Sequence, residues 1–167
     1  MLDSQNFLSA QVFRDACRAL PLVSIDLFVT RQWHKKTEVL LGYRNNAPAR
    51  GYLFTPGGRI RKNEKFQNAL ARIALEELGL EAVSLTRVLA LGVWDHFYAD
   101  IAFDAEVSTH YVNLPYRLDL SDDEAEALQS PAGDAEQHLY WRWVAIEDAI
   151  SDPLVHENVR VVLVKCL

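Results

Sequence analysis

Two hydrophobic periods alternate along the chain, and each change of period marks a change of element. Ser9 is placed to cap a helix over residues 10–20, where Val12, Phe13, Ala16, Cys17 and Leu20 recur at helical spacing and Pro21 ends the run. Over 22–30 the period drops to two, with Val23, Ile25, Leu27 and Val29 alternating with Ser24, Asp26 and Phe28, which predicts a strand. A second strand is predicted over 38–44, a turn-rich loop over 45–51, and a short strand over 52–55 that runs into Pro56-Gly57-Gly58. A helix then enters over Asn63-Glu64 and stops at Gly79, the usual residue type just past a helix end. At roughly 100° per residue, Arg72, Ile73, Glu76 and Glu77 share one of its sides and Ala71, Ala74, Leu75 and Leu78 the other.

Residues 88–98 and 110–120 predict two long strands joined by a hairpin loop over 99–109. A long acidic connection over 121–137 leads to a strand at 138–144, a short helix at 145–150 and a terminal helix over 155–167. Val155, Val159, Val162, Leu163 and Cys166 form the packing face of that last helix. Connections as long as 121–137 tend to be functional or mobile. With no repeat, low-complexity tract or linker in view, the order predicts one α+β domain over 1–167, a mixed sheet covered by helices, with residues 1–20 as an N-terminal extension. Asp26 breaks the apolar strand. A carboxylate there requires a partner, bonds to loop amides, or a place in a site.

Half of the 167 residues are hydrophobic and 24% are charged, as in a soluble globular protein. No run approaches the roughly 20 apolar residues of a membrane span, and the first residues lack a secretory pattern. Cys17 and Cys166 stand alone, without metal-ligand spacing, as reduced buried thiols of a cytoplasmic protein would. A net charge of −6 argues against nucleic acid as a partner. It leaves an anionic small substrate to be met locally, and Arg44, Arg50, Arg59, Arg61, Lys62 and Arg72 all lie within 44–72.

The spacing of Gly58, Glu64, Arg72, Glu76-Glu77, Gly79 and Leu80 resembles the Nudix box, the signature of hydrolases acting on nucleoside diphosphates linked to another group. The box has Glu directly after the Arg; Ile73 stands there instead. The resemblance implies the Nudix α/β/α sandwich. It extends beyond the box: the segments 21–26, 40–44, 51–59, 92–98, 109–112 and 136–138 are similar to those of the GDP-mannose mannosyl hydrolases, an atypical Nudix family altered at that same Glu. That family can also lack a Glu at position 76, which this chain retains.

What the second resemblance implies is water attack on the sugar C1 of GDP-mannose (or GDP-glucose), with inversion and release of GDP. It implies Mg²⁺ held by the Gly57 carbonyl, Glu77 and the Gln137 side chain, with Glu76 supporting the site or acting through water. It further implies Arg44 and Arg59 on the diphosphate, Tyr111 hydrogen-bonding it, Asp26 and His96 near the sugar and the departing oxygen, and His138 as base. An imidazole suits that last role because it titrates near neutral pH. Arg72 reads as an organiser of Glu76 and Glu77, and Tyr98 and Phe13 as either guanine-stacking or core aromatics. The resemblance implies a homodimer. Two other readings stay open: a nucleotide-sugar pyrophosphatase giving GMP and hexose 1-phosphate, which the Glu76-Glu77 pair favours, and a silent nucleotide-sugar binding module.

Overall fold

The computed structural model describes residues 8–81, 83, 86–101, 103–128 and 138–167. In chain order these form α1 (Ala10–Ala19), β1 (Leu22–Trp33), β2 (Lys36–Arg44), β3 (Leu53–Phe54), β4 (Gly57–Arg59) and α2 (Phe66–Leu78). Then come β5 (Val88–Ala90), β6 (Trp94–Tyr98), β7 (Thr109–Asp119), α3 (Asp122–Ala127), β8 (His138–Ala145), α4 (Ile146–Ser151) and α5 (Glu157–Leu163). The strands make one mixed sheet with the path β3-β2-β1-β7-β5, to which β4, β6 and β8 add through β1, β7 and β2. Among the described residues no helix is long and apolar enough to cross a membrane.

The period of two along β1 distributes its side chains between two cores. Ile25, Leu27 and Val29 pack with Ala69, Leu70, Ile73 and Leu78 of α2. Phe28, with Val39 and Leu41 of β2, packs instead against Ile146, Val159, Val162 and Leu163 of α4 and α5. Helices thus cover both faces of the sheet, as the pattern predicted. A third, smaller cluster joins Cys17 of α1 to Ile101 and Val107. Arg14 reinforces it through a 2.6 Å ion pair with Asp104.

One edge of β1 carries β7 in parallel along Leu22–Thr30. The other edge is divided, with β2 pairing Thr30–Trp33 and β4 pairing Ser24–Asp26. Continued in register, Arg44 of β2 would stand opposite Ile25, but β4 occupies that edge. The end of β2 pairs instead with β3, at Gly42–Phe54 and Tyr43–Leu53, and its register against β8 shifts between Gly42 and Arg44.

Several elements differ from the sequence reading. The β1–β2 hairpin is longer because His34 and Lys35 both take positive φ (46° and 65°), which a two-residue turn needs although neither residue announces it. The box helix begins at Phe66 rather than at Asn63-Glu64, since Asn63 is itself left-handed (φ 63°) and Glu64 turns back to accept from the Arg61 amide at 2.8 Å. Its faces are also rotated. Ile73 is 1% exposed and belongs to the core, whereas Leu75 is 52% exposed.

The strand expected over 88–98 is interrupted at 91–93, where Gly92 takes φ 109°. The acidic connection contains α3, fixed by a capping box between Ser121 and Glu124. The terminal helix starts at Glu157, with His156 accepting from the Asn158 amide as its cap, and closes in a 3₁₀ turn over Val164–Cys166.

Candidate active site

Arginines hold two carboxylates of the box, Glu64 just before the helix and Glu76 within it. Arg72 donates to both oxygens of Glu64 at 2.7 and 2.9 Å, to Glu76 at 2.8 Å and to the Arg59 carbonyl at 3.0 Å. Arg61 donates to the other oxygen of Glu76 at 3.3 Å. The arginine cation and its hydrogen bonds hold the Glu64 carboxyl below its ordinary range. Arg72 is therefore an organiser, as expected, but of Glu64, Glu76 and the β4 backbone rather than of Glu77. Glu77 turns toward β8, and its carboxylate lies 3.8 Å from His138 Nδ1.

The glycine corner is defined by close approach. A Cβ on Gly57 would run into the Asp26 carboxylate and come within 2.7 Å of the Ile25 carbonyl; one on Gly58 would meet Ile73 at 3.3 Å. Leu27 donates to the Pro56 carbonyl and Ile60 to that of Val23, which makes Ile25–Gly58 the hydrogen-bonded pair between them. Gly57 then belongs to a non-bonded pair, and its carbonyl points away from β1. That of Arg59, with the same parity, is the one Arg72 caps.

A cavity opens beside this corner, and its walls collect Phe13, Asp26, Arg44, Gly57, Arg59, His96, Tyr98 and Tyr111 from distant parts of the chain. Parity brings most of them together: β7 pairs with β6 at His96–Tyr111 and with β1 at Ser24–Asn113. Asp26 is 6% exposed, with His96 Nδ1 at 3.9 Å. Burial pushes its carboxyl up to about 7, against the pull of Asn113 and Arg44. Burial likewise lowers His96 to about 4, with His156 contributing, so its imidazole is neutral at physiological pH. Tyr111 is pushed up to about 12 and Tyr98 is raised by the same cause, so both remain phenols able to donate.

Arg44 is the hub, since Asp26, Glu77, Tyr98 and Tyr111 all act on its charge. It donates to Asn46 at 3.2 Å, while its Nε is buried without a partner among the described residues. Arg59 lies 4.9 Å over the Phe13 ring, so Phe13 both lines the cavity and supports a cation there.

His138 does not line this cavity. It stands opposite Arg44 across the β2–β8 pair, beside Glu77 and packed on Trp141 with ring centroids 4.4 Å apart. Burial and Arg44 lower it to about 3, far from the near-neutral titration expected. Gln137 lies outside the described residues. Sequence reasoning passed over Ser24, Asn46, Ala47, Pro48, Ala49, Thr55 and Asn113, which also line the cavity. Ser24 and Asn113 are, like Asp26, polar side chains within apolar strands, but without the charge that made Asp26 stand out.

Comparison with known families matches the NUDIX domain over residues 21–164. The chain belongs to the Nudix family. A relative in Haloferax volcanii, the low-salt glycan biosynthesis protein Agl8, is 41% identical over 107 residues, 64% of each protein, so the match spans less than two thirds of that relative's length. Among solved structures, a MutT NUDIX hydrolase from Burkholderia pseudomallei is 26% identical with a TM-score of 0.64, over 88% of this chain and 98% of that one. The NUDIX domain of Shewanella oneidensis NrtR, solved with ADP ribose, has a TM-score of 0.63 at 19% identity, over 97% and 95%. The Nudix fold accounts for the helix-covered mixed sheet, with the box helix α2 against β1.

Proposed function

We propose that this Nudix protein hydrolyses a GDP-sugar, GDP-mannose or GDP-glucose, at the sugar C1, giving GDP and free hexose with inversion. One observation carries the reading. Arg44 and Arg59 share a cavity with Asp26 and His96, while the box carboxylates Glu64 and Glu76 are taken up by arginines and Ile73 is core. The chain thus spends its cations on a diphosphate and offers few carboxylates for activating water at phosphorus.

The donor set also suits a hard divalent cation. The Gly57 carbonyl, turned outward by the ladder, and the Glu77 carboxylate are oxygen donors, and Gln137 is a third candidate in sequence. Bound there, Mg²⁺ would offset the negative charge that grows on the departing diphosphate.

The protein's own groups would do the rest. Arg44 and Arg59 donate to the diphosphate, as does the Tyr111 hydroxyl. Asp26 and His96 face the sugar. His138 stands beside Glu77 rather than on the cavity wall, so its proposed role as base, taking a proton from water as that oxygen bonds to C1 while the C1–O electron pair leaves with GDP, requires the water to sit on the Glu77 side of Arg44. Phe13 and Tyr98 frame the same cavity and are the aromatic candidates for the base. The functional unit is proposed as a homodimer. Incubation with GDP-mannose and Mg²⁺, with chromatographic product identification, tests the reading: GDP with free hexose supports it, and GMP with hexose 1-phosphate, or no turnover, overturns it.

A further inference from the structure

Four buried polar atoms, each on a residue that lines the cavity, have no hydrogen-bond partner among the described residues: Arg44 Nε, His96 Nε2, Thr55 Oγ1 and Asn113 Oδ1. They differ in what they ask of a ligand. Arg44 Nε can only donate, and a diphosphate, made of acceptors, satisfies it. Asn113 Oδ1 can only accept, and no phosphate oxygen can meet it. The Asn113 side chain is 1% exposed and its orientation is fixed, because Nδ2 donates to Ser24 Oγ at 2.9 Å and the carboxylate of Asp26 lies beside it. Leaving such an acceptor unpaired in the interior is costly, and a ligand donor removes that cost.

Placement narrows the donor. Asn113 pairs with Ser24 across β1–β7, and Ser24 pairs in turn with Arg59 across β1–β4. β1 therefore lies between the strand of the orphan acceptor and that of Arg59, the proposed diphosphate anchor. The groups attached directly to a diphosphate in a nucleotide sugar are its two sugars; the base stands one ribose further off.

We infer that Asn113 is a specificity-determining residue whose Oδ1 accepts a hydrogen bond from a sugar hydroxyl of the bound substrate. The inference rests on the GDP-sugar reading above. It requires a hydroxyl donor, on the hexose or on the ribose, and it discriminates against substrates lacking that one group.

Binding, rather than turnover, tests it, so an error in which bond is cleaved leaves the result intact. Titration calorimetry in EDTA would compare GDP-mannose with its 2-, 3-, 4- and 6-deoxyhexose counterparts, with the 2′- and 3′-deoxyribose forms and with the inosine form. For the wild type, one deoxy compound should bind roughly three- to tenfold more weakly than the parent. In Asn113→Val the same compound and the parent should bind alike. A hexose position identifies one source of the donor and a ribose position the other. A flat wild-type series, a loss confined to the inosine form, or unchanged discrimination in Asn113→Val overturns the inference. The wild-type series decides alone if that variant does not fold. If GDP-mannose binds only with Mg²⁺, the same series is run with Mg²⁺ on His138→Gln; absence of binding by GDP-mannose both in EDTA and with Mg²⁺ would remove the GDP-sugar reading, a result distinct from a flat series.

Discussion

Asp26→Asn should stabilise the metal-free protein at alkaline pH while stopping the reaction. The carboxyl is buried with a folded value of about 7 against an ordinary 3.8, so about three pH units separate folded from unfolded. The sign follows from which state ionises first. Below 3.8 both are protonated and Asp26 is neutral to stability. Between 3.8 and 7 the unfolded chain loses its proton while the folded one keeps it, so stability falls as pH rises; above 7 the loss is complete. At about 1.4 kcal/mol per unit, the burial withholds about 4 kcal/mol at pH 8.

Asparagine has the same shape and never ionises. The variant should match the wild type near pH 4 and exceed it by about 4 kcal/mol at pH 8, or about 8–16 °C in melting temperature for a chain this size. Thermal unfolding in EDTA from pH 4 to 8, read as the variant-minus-wild-type difference, cancels the buried histidines and isolates this group. A difference that stays flat with pH, or a variant less stable than the wild type at pH 8, would refute the reasoning.

Arg72→Lys should cost about 2–4 kcal/mol, because an ammonium cannot reproduce the fork that binds Glu64, Glu76 and the Arg59 carbonyl; denaturant titration measures it, and a loss under about 0.5 kcal/mol contradicts it. The wild type should also lose stability as pH falls below the ordinary 4.5 of Glu64, whose folded value is depressed, and Arg72→Lys should flatten that dependence. Gly57→Ala should destabilise by about 1–3 kcal/mol and lower activity, since its Cβ has to displace Asp26 or the Ile25 carbonyl; unfolding curves and initial rates check both. His138→Gln should lower kcat by roughly 10²-fold or more with substrate affinity within about threefold, and an unchanged kcat removes His138 as the base.

Much of the fold was legible because period and punctuation agreed. Ser9 caps α1 with its side chain, Gly79 takes the left-handed conformation (φ 67°), and the apolar positions of the last helix are the buried ones. The misses have local causes. His34 and Lys35 adopt left-handed turn geometry without the Asn or Gly that signals it. Ile73 sits beside charged residues in sequence, but Gly58 leaves it a slot in the core. Asp26 was legible as a buried carboxylate in need of a setting. Asn113 and Ser24 were not, because an amide or hydroxyl in a strand is unremarkable until pairing places it on a cavity floor. His138 stands off the cavity wall where the β2–β8 register shifts, a pairing feature that no pattern within β2 encodes.

Hydrolysis of GDP-mannose in ¹⁸O-labelled water with Mg²⁺ reads the attacked atom directly. Water attack at carbon places the label in the hexose and leaves GDP unlabelled. Label in a phosphate product would contradict it.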